Sequence, residues 1–174
     1  MDALTGYSSW WLLLPNFANL YGYYIIVAKS THVQTRALVP RWFPTGGRQV
    51  TLWTAYNVSM ARASYLIWQD GGGAFLLTAY ATSICYSCAW PVIFYEHLNL
   101  KLALLNISVL CSLVAGMANL YVPINRTAAA LSVPSLCWLL SVAVFNFRVW
   151  KSVSNASAGC ESCVNGALHN GPVG

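Results

Sequence analysis

Three groups of aromatic side chains sit inside long apolar runs: Trp53, Tyr56 and Tyr65; Tyr86, Trp90 and Phe94; Trp138 and Phe145. Rings in such positions can fill a packed core. They can also wall a cavity for a flat apolar ligand, with the indole N–H as a polar handle. Composition and spacing leave both open. The residues that usually carry catalysis are sparse. His32, His97 and His169 are isolated, and Asp2, Asp70, Glu96 and Glu161 fall at termini and in loops. No His, Cys, Asp and Glu set has metal spacing, and there is no GxSxG, no phosphate loop and no acid–base pair inside an apolar run. The expectation is a binding protein rather than an enzyme, with no metal or cofactor. Cys160 and Cys163 form one CxxC without a second pair, which is weak evidence for zinc. Cys85, Cys88, Cys111 and Cys137 lie in apolar runs, where cysteine acts as a small apolar residue.

The elements that must position these rings follow from charge. Hydrophobic residues make up 57% of the 174 and charged residues 7%, against roughly 25% charged in soluble domains. So few charges cannot cover a surface facing water, and the lipid bilayer is the solvent that fits. No charge occurs from Ala3 to Ala28, Gly71 to Tyr95, Leu102 to Asn125 or Thr127 to Phe147, and only Arg62 between Gln49 and Gln69. Each window reaches the roughly 20 residues that a helix needs to span hydrocarbon. The fold class predicted is all-α: a polytopic bundle of five transmembrane helices at about 5–28, 48–69, 74–95, 101–121 and 127–150. Residues 1–151 form the membrane domain and 152–174 a Ser-, Asn- and Gly-rich disordered cytosolic tail. Trp10 and Trp11 could anchor the first helix at the interface.

Lys29, Arg36, Arg41, Arg48, Lys101, Arg148 and Lys151 fall on one side of such a bundle, and Arg126 on the other. The excess of basic residues places loop 1 and the C-terminus in the cytosol. The net charge of +5 then fits a basic face on anionic lipid and needs no nucleic acid. Arg62 is the one charge at membrane depth, either functional or snorkelling to the interface. Ala79, Ser83 and Ser87 repeat at i+4, a small-residue stripe that suits a homodimer interface or internal packing. Loop 1 carries VPRWFPTGG, residues 39–47, too rich in aromatic and turn residues for a plain linker. Residues 87–95, SCAWPVIFY, set a proline beside a tryptophan in mid-span, which is tolerated where neighbouring helices re-satisfy the freed carbonyl.

Four blocks in order resemble one family. They are RWFP at 41–44, LWTAYNVSMARASYLIWQDGGG at 52–73, CAWPVIFY at 88–95 and AAALSVPSLCWLLSVAVFNFRVWK at 128–151, with Pro15 and Gly22 also in place. They resemble the translocator protein family, also called the peripheral benzodiazepine receptor or tryptophan-rich sensory protein family. The triple glycine at 71–73 and the stretch from Pro123 to Arg126 lean toward its second, erythroid-type vertebrate branch. The resemblance implies a five-helix bundle with a cavity open toward the cytosol and covered by loop 1. It implies cholesterol and porphyrin such as protoporphyrin IX as ligands, and homodimers. Ligand-binding positions implied are Ile26, Trp42, Trp53, Trp90, Trp138, Val142, Phe145 and Asn146. A sterol motif is implied at Val144, Phe147, Arg148 and Lys151, with Phe147 where the consensus has Tyr. The chain departs from the family where Phe43-Pro44-Thr45-Gly46-Gly47 replaces a His-Pro-Pro-His-Trp stretch, and where Arg62 replaces a Tyr.

Three functions are compatible with this reading. The first is cholesterol binding and intracellular sterol redistribution, with porphyrin as a second ligand of the tryptophan-lined cavity. The second is a scaffold that regulates a partner channel or carrier. The third is porphyrin breakdown involving a pocket Trp. Endoplasmic reticulum or plasma membrane is the favoured location, with the mitochondrial outer membrane as the alternative.

Overall fold

The computed structural model describes residues 14–29 and 40–169; Trp10 and Trp11 lie outside them. The first span is described as two pieces, α1 (Leu14–Ala18) and α2 (Leu20–Lys29). The break falls at Asn19, whose side-chain amide donates to the Pro15 carbonyl at 2.8 Å. Then come α3 (Gly47–Gln69), α4 (Gly73–Pro91), a π-helical turn (Val92–Glu96), α5 (Leu100–Tyr121) and α6 (Arg126–His169). The second and fourth predicted helices, 48–69 and 101–121, lie within a residue of α3 and α5, while the third, 74–95, runs past the end of α4 into the π turn.

Three segments are long and apolar enough to cross a membrane: Gly73–Glu96, Leu100–Tyr121 and Arg126–Ala156. The fold is therefore all-helical with three candidate spans among the described residues. α3 has the length but carries Gln49, Asn57, Arg62 and Ser64, which lower its apolarity. α6 passes the expected end at residue 150 and continues to His169. A nucleated helix extends at little cost, and no proline interrupts 151–169. The expectation of a disordered tail is corrected accordingly for residues 152–169.

Polarity runs inside out. Asn19, Asn57, Ser83, Ser87 and Asn146 are buried, while Phe17, Tyr24, Phe75, Leu105 and Leu140 are exposed. A bilayer rewards that arrangement, because interior polar groups must pair with each other and lipid covers the apolar rim. Ser87 donates to Asn19 Oδ1 at 3.1 Å, and Asn57 Nδ2 donates to the Tyr23 hydroxyl at 2.8 Å. Each bond joins the first span to a neighbour.

The helices close into a ring. The first span contacts α3, α3 contacts α6, α6 contacts α5, α5 contacts α4, and α4 returns to the first span. One end of the ring is stitched. After α3 the Gly72 N–H donates to the Ile67 carbonyl at 2.8 Å and the Gly71 N–H to that of Trp68 at 3.3 Å. This double bond pattern satisfies the last carbonyls, with Gly71 left-handed at φ 81. Across the same end, Asn125 Nδ2 donates to the Asp70 carboxylate at 2.6 Å. Asn125 Oδ1 meanwhile accepts from the Ala128 N–H at 2.9 Å and caps α6. At the other end, Phe43 enters from loop 1.

Candidate functional site: an aromatic cavity wall

On α3, Gln49, Trp53, Tyr56 and Met60 recur at helical spacing and are all buried. On α6 the inward series is Val142, Phe145, Asn146 and Val149, with Trp138 half-buried one turn before it. On α4 it is Ser83, Ser87, Trp90 and Pro91, continued by Phe94 and Tyr95 in the π turn. These faces meet in the middle of the ring.

Trp53 is 1% exposed and Trp90 0%, with centroids 5.7 Å apart. Trp138 stands edge-on to Trp53 at 6.0 Å. Trp90 stacks on Phe94 at 5.0 Å, and Phe94 reaches Phe145 at 5.1 Å. Pro91 lacks the amide hydrogen of a regular turn, and the wider π turn follows it directly. Such insertions are frequent at functional sites; here Phe94 and Tyr95 both end up inside. On its other side Pro91 seats against α2, where a Cβ on Gly22 would lie 3.1 Å from Pro91 Cγ. The Trp90-Pro91 pair thus presents its indole to the aromatic cluster and its proline ring to the first span.

This aromatic cluster also holds several buried polar atoms. Trp53 Nε1, Trp90 Nε1, Trp138 Nε1, Gln49 Nε2 and both amide atoms of Asn146 are buried without a hydrogen-bond partner. The Tyr95 hydroxyl donates to Gln49 Oε1 at 3.0 Å, which spends the acceptor of that amide and leaves its NH2 group. Buried polar groups are ordinarily paired, and an unmade bond costs about 1–3 kcal/mol. The excess here is of donors: three indoles and two amide NH2 groups against one free carbonyl oxygen. That set is chemically suited to a flat molecule bearing acceptor oxygens.

The remaining predicted residues divide. Ile26 and Val142 are buried in the same core. Trp42 is half exposed and meets Phe43 edge-on at 5.7 Å. Val144, Phe147, Arg148 and Lys151 lie on the outer face of α6, with Phe147 and Trp150 5.8 Å apart. Phe145 and Phe147 therefore point to different surroundings, as the 100° step per residue requires. These four positions are separated from the aromatic cluster. Ser83 and Ser87 are buried within the chain, and Ala79 packs beside the core. Of the alternatives open for that stripe, the serines make contacts within the chain. Arg62 is exposed, its guanidinium carbon 5.5 Å from the Tyr65 ring centre, an outward cation–π arrangement. A cavity of about 530 Å³ lies elsewhere, between Pro15, α3 and α4, lined by Tyr65, Trp68, Leu77 and Tyr80.

Sequence reasoning did not select Phe43 or Gln49, and named Phe94 only among the rings of the apolar runs. Phe94 and Gln49 carried a usable signal, since each lies four residues from a selected Trp on the same helix.

The sequence pattern described as the TspO/MBR family matches residues 11–151. Translocator protein 2 of Mus musculus is 32% identical over 116 residues, 63% of this chain and 72% of its own length. Translocator protein 2 of Homo sapiens is 34% identical over 116 residues, 63% and 68% of the two chains. Translocator protein of Sus scrofa is 26% identical over 144 residues, 80% and 85%.

Proposed function

Since the chain belongs to the TspO/MBR family, we propose that it is a five-span membrane protein that binds a flat conjugated ligand in the aromatic cavity and cholesterol on the outer face of α6. The cavity ligand is of the porphyrin class, and the protein binds and redistributes its ligands without turning them over. The observation that carries this reading is the convergence of Trp53, Trp90 and Trp138 with their indole N–H groups buried and unpartnered. A macrocycle offers these rings an extended face, and its carboxylates offer the acceptors that the donors lack. The sterol part rests on Phe147, Arg148 and Lys151, which face outward where a membrane sterol would meet them. The first span and α3 complete the five, loop 1 and the C-terminus face the cytosol, and endoplasmic reticulum or plasma membrane is the favoured location.

The test is quenching of intrinsic tryptophan fluorescence in the purified chain by protoporphyrin IX, with cholesterol added in a second titration. Replacing both Trp53 and Trp138 by Phe should weaken porphyrin binding about tenfold. Each aromatic contact is worth about 0.5–1.5 kcal/mol beyond area, and 1.4 kcal/mol is one decade. Phe147→Ala should weaken cholesterol binding and leave the porphyrin titration in place. Unchanged porphyrin affinity in the double variant would remove the cavity from this account.

A further inference from the structure

Arg62 is exposed on α3, seven residues or about 10.5 Å before the helix end at Gln69. No carboxylate of the described residues pairs with it: Asp70 is engaged by Asn125 and Glu96 by Tyr21. Its guanidinium carbon lies 5.5 Å from the Tyr65 ring centre. Tyr65 is one turn nearer the helix end, so the cation leans toward the Gly71–Gly73 end of the bundle. Gln69 continues the line, its Nε2 donating to the Tyr65 hydroxyl at 2.8 Å. An unpaired charge at membrane depth is costly, and long basic side chains reach for the head groups.

Tyr65 also belongs to a cavity wall. The cavity of about 530 Å³ between Pro15, α3 and α4 is lined by Ala61 and Trp68 from one helix and Leu77 and Ile84 from the other. Such a volume suits a small ligand. Ser64 lines it too, with its hydroxyl 3.3 Å from that of Tyr121. Tyr80 lines it as well, and its hydroxyl is buried without a hydrogen-bond partner. A hydrocarbon chain fits such walls, and an ester carbonyl would give Tyr80 the acceptor it lacks.

We propose that this groove is a site for one anionic phospholipid, with an acyl chain in the cavity and the acidic head group on Arg62. The proposal rests on α3 crossing the bilayer, as in the reading above, and is independent of the aromatic cluster. The guanidinium fork matches phosphate and carboxylate alike. A zwitterionic head group brings its own cation to the phosphate, whereas a head group of net negative charge leaves a charge for Arg62 to balance. The site lies at the end opposite Arg48, Lys101 and Arg148, so its lipid is distinct from those drawn to the basic face.

The test reconstitutes the full chain in vesicles of phosphatidylcholine doped with phosphatidylserine, extracts it in mild detergent and counts the retained lipid by mass spectrometry. Wild type should hold phosphatidylserine about tenfold above its share of the vesicle, the size of one charge-assisted hydrogen bond. Arg62→Gln should lose that enrichment. Leu77→Trp, which fills the cavity from a half-buried position, should lose it with the charge intact. Lys101→Gln removes the same charge at the other end and should keep it. Enrichment that survives Arg62→Gln, or that Lys101→Gln removes equally, overturns the site and assigns the lipid to general attraction by charge. Retention of both lipids in vesicle proportion overturns it as well. The placement of α3 is read separately: Arg62→Cys in the same vesicles should add no labelling by a membrane-impermeant maleimide to the wild-type background. Free labelling overturns the five-span reading together with the site, and protection without enrichment overturns the site alone.

Discussion

Replacing Asn146 by Leu should raise the thermal midpoint of the ligand-free protein and weaken its hold on protoporphyrin IX. Asn146 is fully buried on α6, next to Phe145 in the ring stack. Neither its Oδ1 nor its Nδ2 has a partner. Each unmade bond costs about 1–3 kcal/mol, and an apolar group of similar shape avoids that cost. Leu also favours a helix more than Asn. For a chain of this size each kcal/mol moves the midpoint by about 2–4 °C. The stability gained would be bought with function, because the amide is one of the few groups that can address a ligand's polar atoms. Opposed changes of this kind are the signature of a site kept at a cost. Thermal melts in micelles, read beside quenching titrations of the same preparations, check both halves. A fall in the midpoint would show that the amide is paired in the folded protein, and the donor count would need revision.

The second large effect concerns Gly22. α2 crosses α4 where Pro91 leaves its ring against the glycine, and a Cβ there would lie 3.1 Å from Pro91 Cγ and 3.5 Å from Pro91 Cβ. Ala should be accommodated by a small shift at about 1 kcal/mol, whereas Leu forces the helices apart at about 3 kcal/mol or more. The same displacement would move Trp90, the residue beside Pro91, and Phe94, which stacks on it at 5.0 Å. Gly22→Leu is therefore expected to lose both stability and porphyrin binding, with Gly22→Ala graded between it and wild type. Equal melting temperatures for the two variants would mean that the contact between α2 and Pro91 does not hold the bundle together.

The helices were legible because charge in a bilayer protein is scarce and its gaps mark spans. The ends of α3, α4 and α5 follow from Gly71 to Gly73 and from Asn99, whose Oδ1 accepts the Leu102 N–H. The end of α6 was not legible, because Ser and Asn in a tail lower helix propensity only weakly. Trp53 and Trp90 could be selected from their depth in apolar runs. Their surroundings could not, since the ring order of helices brings α3 and α6 together across more than eighty residues. Phe43 was the least legible. Nothing in VPRWFPTGG says whether Trp42 or Phe43 turns inward, and the larger ring is the one that stays half exposed. The stripe of Ser83 and Ser87 was open between a dimer interface and internal packing, and the partner of Ser87, Asn19 in the first span, needed coordinates.

The two ends of the bundle are built differently. Gly71 to Gly73 and the Asp70–Asn125 bond tie one end with backbone and side-chain hydrogen bonds, while the other is packed with stacked aromatic rings. A molecule with two unlike ends has a direction. With the proposed binding at the aromatic end, ligand would be exchanged with a single leaflet. In vesicles where the protein has inserted both ways round, ligand supplied from outside would reach the aromatic end of only one orientation. The titration would saturate short of full stoichiometry, and dissolving the vesicles in detergent would release the remainder.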